Sequence, residues 1–231
     1  MGEITVKKWF ILLLGLFILS GCSHHKPTIS EERAAQVFVE SVIYNKKQKD
    51  FIENFVDGRA ILKEMEHSKD GEFSKGLITQ MTEASAMSNQ QAQQLADALT
   101  NALKQETNYK VKSVKKQKKH HYLVTYEIYG IDFVAALSNA LQESYGKIAN
   151  DASFFDDDEK IDELFFEQLL HQIMQVGKVK KPTIVQLQIV QKEKMWEIPN
   201  SQAENIHALI SAFWIGITDE EVMKESLSQA I

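Results

Sequence analysis

The stretch Tyr122-Leu-Val-Thr-Tyr-Glu-Ile-Tyr129 decides the fold of this chain. Its even-numbered positions are aromatic or aliphatic, whereas the odd-numbered positions include Thr125 and Glu127. Side chains on a strand point alternately to two faces, so a period of two predicts a β-strand with one buried face. The segment Tyr109-Lys-Val-Lys-Ser113 shows the same alternation. Together the two runs predict a hairpin whose turn is the basic segment Lys115–His121.

The basic turn at residues 115–121 has two readings. Its lysines and histidines suit contact with anionic lipid head groups or wall polymers, since each basic residue near a charged membrane adds about 1 kcal/mol of attraction. The alternative is a solvated turn whose lysines protect the edge of a sheet from pairing with another chain. The sequence leaves both readings open.

A second hairpin is predicted over residues 178–198. Apolar and polar residues alternate from Val185 to Ile189, and Lys192–Lys194 turns the chain. The return strand is Met195–Ile198, and Pro199 ends it because proline cannot donate to a ladder. Joined side by side, the two hairpins form a four-stranded antiparallel sheet packed by helices. The predicted fold class is therefore α+β.

The part of the chain before the first hairpin is predicted to be helical. Apolar residues recur there every three or four positions. Ser30 begins the first helix, and Asp50 with Glu53 reads as a capping box for the second. That second helix is predicted to run on through Phe55 to Leu62. Further helices are expected around residues 77–81 and from Ser88 to about residue 106.

Two more helices are predicted between the hairpins. Asp132 is expected to cap the first. The acidic run Asp156–Glu159 precedes the second, which carries apolar residues on most sides, Met174 included, and is expected to be buried. A calcium loop is the alternative for the acidic run, but the glycine at position six and the glutamate at position twelve of an EF-hand are missing. Ser201 with Glu204 is expected to cap a last long helix, followed by a short terminal one.

The N-terminal segment has the layout of a secretory signal. Lys7 and Lys8 precede an eleven-residue apolar run from Trp9 to Leu19. Such a run is too short to cross a hydrocarbon core, which needs about 20 apolar residues. The run ends in Leu19, Ser20, Gly21 and Cys22, which resembles the lipobox of bacterial lipoproteins. The resemblance implies cleavage before Cys22 and attachment of a diacylglyceryl group to its thiol, with two or three acyl chains (palmitate or similar) in the mature protein.

The resemblance divides the chain into three parts. Residues 1–21 are a signal peptide that is removed, and residues 22–30 are a lipidated tether. Residues 31–231 are expected to form a single extracytoplasmic domain, helical over 31–106 and α+β over 107–231. The implied location is the outer face of the cell membrane, in a bacterium that is expected to be Gram-positive.

Composition narrows the function further. Residues 1–21 hold Glu3, Lys7 and Lys8, so their removal leaves 24 basic and 31 acidic residues and a net charge of −7. This balance argues against non-specific binding to nucleic acid. Cys22 is the chain's only cysteine, so no internal disulfide can form. The pair His24-His25 could bind a metal, although a solvated tether is the alternative because no acidic or cysteine partner is near.

The segment Met195-Trp-Glu-Ile-Pro199, after a long strand and a charged turn, resembles the last hairpin of cystatin-like and nuclear-transport-factor-2-like domains. Such domains recur in uncharacterised Gram-positive surface lipoproteins. The resemblance implies a sheet around a pocket, and Tyr126 and Trp196 are the candidates for its wall. A plain core position is the alternative for Trp196, which is expected to lie between the sheet and the helices with Ile198 on the same face.

The chain carries no motif of a nucleophile elbow, a zinc protease, a phosphate-binding loop or a dinucleotide fold. No catalytic, cofactor-binding or metal-binding residue is therefore assigned, and no cofactor is expected. Three roles are carried forward: a membrane-tethered binding or assembly module with an unknown protein or small ligand, a structural or stress-related envelope lipoprotein without a small ligand, and an envelope hydrolase. The first is favoured.

Overall fold

The computed structural model describes residues 29–67, 88–154 and 157–218. Within these ranges the chain forms seven α-helices and four β-strands, as the α+β prediction expects. Cys22, the helix predicted near residues 77–81, Asp156 and the terminal helix after Thr218 lie outside the described residues. The helices are α1 Glu31–Val42, α2 Gln48–Asn54, α3 Gly58–His67, α4 Asn89–Glu106, α5 Phe133–Asn150, α6 Asp158–Gln175 and α7 Ala203–Trp214. The strands are β1 Asn108–Lys118, β2 His121–Tyr129, β3 Thr183–Lys192 and β4 Met195–Glu197.

The four strands form one antiparallel sheet in the order β1-β2-β3-β4, which confirms the predicted joining of two hairpins. Tyr126 pairs with Val111 on one side and with Val185 on the other. Val124 pairs with Leu187 in the same ladder. These residues share the inner face of the sheet, which is the buried one.

The first turn is shorter than predicted. Strand β1 continues to Lys118, and Lys115 and Lys116 pair with Leu123 and Tyr122 inside the ladder. The turn itself is Lys119-His120, with His120 in the left-handed region at φ 64°. The prediction of a turn over residues 115–121 is therefore wrong. A lysine side chain reaches water from either face of an edge strand, so a run of lysines does not end the ladder.

The second predicted helix is broken in two. Phe55 is extended (φ −115°, ψ 138°) and forms a parallel bridge with Trp196. The Val56 amide donates to the Trp196 carbonyl at 2.8 Å. A continuous helix could not form this pairing, because a β-bridge requires extended backbone at Phe55. The predicted capping box at Asp50 is also wrong, because α2 begins earlier, after Lys47 in the left-handed region at φ 56°.

The inner face of the sheet is covered by α1 and α7. The Tyr126 hydroxyl donates to the Ala35 carbonyl at 3.1 Å, and the Tyr109 hydroxyl donates to the Gln36 carbonyl at 3.3 Å. On the other side, the Phe213 ring meets the Tyr109 ring edge-on with centroids 6.0 Å apart. Two tyrosines thus bind the middle of α1 to the sheet, and an aromatic contact binds the end of α7.

Helices α5 and α6 form a hairpin, and α6 also packs against α4. Their predicted caps are confirmed: Asp132 accepts from the Ala135 amide and Asp157 accepts from the Lys160 amide. The prediction that α6 is buried on most sides is wrong at Met174, which is 74% exposed. Helix α6 packs against both α4 and α5 and buries Phe166, whereas Met174 lies one residue before its end and is exposed to water.

Helix α7 differs from the prediction at its start. A 3-10 turn over Asn200–Gln202 precedes it, and its N-cap is Gln202 with no side-chain cap, so the predicted Ser201 cap is wrong. Gln202 instead accepts from the Gln188 amide at 2.9 Å, which satisfies a donor on the edge of β3 that β4 is too short to reach. Within the described ranges, no helix combines the length and apolarity needed to cross a membrane.

Candidate functional site

The described part of the chain begins at one end of the sheet. The Trp196 indole N–H donates to the Ile29 carbonyl at 3.2 Å. Trp196 is 1% exposed, and its ring meets the Tyr122 ring edge-on at 5.5 Å. The predicted lipid site Cys22 and the other lipobox residues lie just before, outside the described residues. Only residues 23–28 separate Cys22 from Ile29 in the sequence.

Tyr126 and Trp196 both lie on the inner face of the sheet, as the strand alternation predicts. Both are fully buried, and each polar atom has a partner in helix α1 or the segment before it. Burial, with a smaller contribution from neighbouring Tyr109, raises the pKa of the Tyr126 hydroxyl above its usual range. Neither residue lines the groove described next, and their role in a pocket wall stays a prediction.

A shallow groove of about 160 Å³ lies between the start of α5 and the end of α6. Its polar lining includes Asp132, Asn139, Gln172 and Lys178. Asp132 is occupied in capping α5, and Asn139 donates to Gln172 at 3.4 Å. Sites for small molecules are typically apolar clefts of about 300–1,000 Å³, so this groove is small and polar for such a ligand.

The outer face of the sheet is opposite the inner face and carries Thr125, Glu127, Ile184, Gln186 and Gln188. Ile184 and Gln186 are exposed there, whereas Thr125, which pairs with Gln186, is 9% exposed. The Lys112 ammonium lies 2.7 Å from the Glu127 carboxylate on this face. The hydrogen bond from Lys112 holds the pKa of Glu127 below its usual range. Gln188 bonds the His121 ring at 3.1 Å, and Ile184 is 48% exposed. The outer face therefore offers charged, amide and aliphatic groups on one pleated surface.

Both hairpin turns lie at the same end of the sheet. The Gln191 amide donates to the His120 carbonyl at 2.8 Å, which joins the β1–β2 turn to the second hairpin. The exposed lysines of these two turns and of the strand ends beside them are called the basic end of the sheet: Lys115, Lys116, Lys118, Lys119, Lys192 and Lys194.

The sequence patterns identify each turn separately and do not show that the two turns lie side by side at one end of the sheet. The signal was available, because the first and third turns of an antiparallel meander lie at the same end.

The histidines and carboxylates of the described part of the chain are spread over separate elements. No group of three or more His, Cys, Asp or Glu side chains is placed there to hold a metal. His171 is exposed on α6 and pairs with Gln175 at 2.9 Å, so it is not a core residue. His121 is held by Gln188 on the outer face.

A family model described as "Domain of unknown function (DUF5105)" matches residues 25–214. Among solved structures, a crystal structure described as that of a "putative lipoprotein (ycdA)" from Bacillus subtilis subsp. subtilis str. 168 is similar in fold, with a TM-score of 0.55 and 11% sequence identity. The match covers 85% of this chain and 58% of that one. A search of curated proteins found no match.

Proposed function

This chain belongs to the DUF5105 family, and on that premise we propose that it is a lipid-anchored lipoprotein of the outer face of the cell membrane, acting as a binding or assembly module. The lipobox resemblance at Leu19–Cys22 supports the anchor, and the name of the similar Bacillus subtilis structure agrees with it. Bacillus subtilis, the source of that similar structure, is Gram-positive, which agrees with the proposed Gram-positive host.

One observation carries the proposal. The Ile29 carbonyl is bound by Trp196 seven positions after Cys22, so packed structure starts almost at once behind the anchor. The seven steps from Cys22 to Ile29 span at most about 25 Å, at roughly 3.3–3.6 Å per residue. The folded body is therefore held close to the membrane, which suits a module that works at the cell surface rather than one released from it.

The outer face of the sheet supports binding to a large partner over enclosure of a small one. On this face half-exposed Ile184 offers apolar surface to a partner, and the Lys112–Glu127 pair fits the polar, solvent-accessible rim that surrounds the core of a protein interface. The groove between α5 and α6 is smaller than the usual site for a small molecule. We also propose that the domain is cystatin-like, and the four-stranded antiparallel sheet with helices on its inner face supports this.

The anchor is tested by replacing Cys22. Cys22→Ala removes the thiol that the lipid requires, so the protein is expected to appear in the medium or to accumulate as an uncut precursor. Ser23→Ala is the matched control, because it changes the next residue and leaves the thiol. Fractionation and mass spectrometry follow both variants. Membrane retention with normal processing of Cys22→Ala would refute the anchor.

The binding role is tested separately on the outer face. A photo-crosslinking residue in place of exposed Gln186 is expected to give a discrete adduct of higher mass in intact cells. The same residue in place of exposed Gln94, on α4, is the control and should give none. If neither position forms an adduct, the structural role without a ligand is the better account.

A further inference from the structure

The basic end of the sheet is built from two turns held side by side. Strand β2 runs antiparallel to β3 and pairs His121 with Val190, so the β1–β2 turn and the β3–β4 turn project in one direction. The six lysines of the basic end are all exposed. The acidic residues on these turns are Glu193 and Glu197, and Glu197 lies 3.5 Å from Lys192. The two turns therefore carry a net positive charge, although the chain as a whole is negative.

The first described residue, Ile29, and the basic end lie at the same end of the sheet. Trp196 pairs with Gln191, one position beyond the His121–Val190 pair, and its indole holds the Ile29 carbonyl. Strand residues rise about 3.3 Å each, so the turns lie only a few residues farther along the sheet. A tether of at most about 25 Å can bring them to the surface in which Cys22 is anchored. Glu31 and Glu32 follow Ile29 on α1, so the positive charge comes from the turns and not from the start of the body.

We propose that the basic end of the sheet docks on the anionic lipid head groups of the membrane that holds the Cys22 anchor. This inference rests on the proposed function, since it needs the anchor to bring the turns to the bilayer. Lysines attract a negatively charged leaflet within about a Debye length, roughly 10 Å at 0.1 M salt. Docking in this way sets the strands upright and turns the outer face sideways, where a partner can reach it.

The test uses the full lipidated protein, purified from membranes and reconstituted into vesicles. One set contains phosphatidylcholine with phosphatidylglycerol, and the other contains phosphatidylcholine alone. Because Cys22 is the only cysteine and its sulfur carries the lipid, an introduced thiol can be labelled selectively. Gln117→Cys places a fluorophore at the basic end, and Lys181→Cys places one before β3 at the opposite end. A quencher carried on the lipid reports contact with the bilayer.

The label at position 117 is expected to be quenched in anionic vesicles and far less in neutral ones, and the label at position 181 in neither. Exchanging four lysines of the basic end (115, 116, 118 and 119) for glutamine should lower the equilibrium constant for docking by several hundredfold, at roughly fivefold per lysine. Quenching at position 117 in anionic vesicles should therefore fall to the level seen in neutral ones. The matched control exchanges four exposed lysines elsewhere, at positions 104, 147, 180 and 181, and should leave contact unchanged. Melting midpoints of both variants establish that each is folded.

Three outcomes would overturn the inference. Docking through the basic end is refuted by equal quenching at both label positions, or by quenching at position 117 that does not change when the four lysines are exchanged. If the protein still floats with both vesicle sets, the lipid anchor is nevertheless supported. A protein that floats with neither set removes the anchor and the docking together. Tight binding of soluble poly(glycerol phosphate) without quenching at position 117 assigns the lysines to a wall polymer instead.

Discussion

Trp196→Ala is expected to lower the free energy of unfolding by about 4 kcal/mol, because truncating a buried tryptophan typically costs about 3–5 kcal/mol. Trp196 is 1% exposed and lies at the end of the sheet, where it meets the Tyr122 ring at 5.5 Å. Its backbone also pairs with the extended residue Phe55. Alanine keeps that backbone pairing and removes the whole indole.

Two specific contacts place the loss in the upper part of this range. The Ile29 carbonyl loses its indole donor, and a hydrogen bond of this kind contributes about 0.5–1.5 kcal/mol net. The edge-on contact with Tyr122 contributes about 0.5–1.5 kcal/mol beyond burial. These contributions overlap with the loss of burial and do not add to it in full. Against a total stability of about 5–15 kcal/mol, the variant loses a large share.

Urea unfolding followed by circular dichroism measures the effect. With a slope near 2 kcal/mol per molar urea, the midpoint should fall by about 2 M. Met174→Ala is the control, since a 74% exposed side chain outside special contacts should change stability by no more than about 0.5 kcal/mol. If Trp196→Ala shifts the midpoint no more than Met174→Ala does, the β3–β4 register and the fixed position of Ile29 are both wrong.

Three further predictions test the fold. Gly130→Ala should strongly lower the free energy of unfolding, because a Cβ there would lie 1.8 Å from the Ala212 carbonyl oxygen. Gly146→Ala is the control in thermal melts: a Cβ there meets open space on an exposed helix, so the free energy of unfolding should rise by about 0.5–1 kcal/mol. Burial raises the pKa of three tyrosines: Tyr44, Tyr109 and Tyr126. These tyrosines ionise near pH 10 in the unfolded chain but only at higher pH in the folded chain. The free energy of unfolding should therefore be fully present below pH 10 and fall as the pH rises above 10. An absorbance titration in which every tyrosine ionises near pH 10 without unfolding would contradict this. A chain beginning at Thr28 should melt cooperatively and remain monodisperse by light scattering, since the tether before it holds no residue of the described core; an aggregated or unfolded product would count against that.

Local patterns predicted much of the fold. The alternation at residues 122–129 and 185–189 identified two central strands and their buried face, and the sheet order followed from joining two hairpins. Asp132 and Asp157 cap their helices as expected, because a cap depends only on residues three positions away. The predictions failed where a distant partner intervenes. Phe55 leaves a helical pattern to pair with Trp196.

The candidate site was less accessible to sequence reasoning than the fold. The lipobox at Leu19–Cys22 is a contiguous pattern, so the predicted anchor needs no tertiary contact to be read. The basic segment at residues 115–121 is visible in the sequence, but its position near Ile29 is not. That position depends on the bond between Trp196 and Ile29, which joins residues 167 positions apart.

The sequence alone shows which residues favour strands and which face of each strand is apolar. It also shows where four helices begin, at the caps Ser30, Ser88, Asp132 and Asp157. These properties arise from steric and hydrogen-bonding preferences within a few residues. Contacts between distant segments set the remaining features: α2 ends before Phe55, β1 continues through Lys115 and Lys116, and both turns lie near Ile29. Each of these features arises from burial and pairing between segments far apart in the chain, and the free energy of such contacts exceeds the small local preferences that they override.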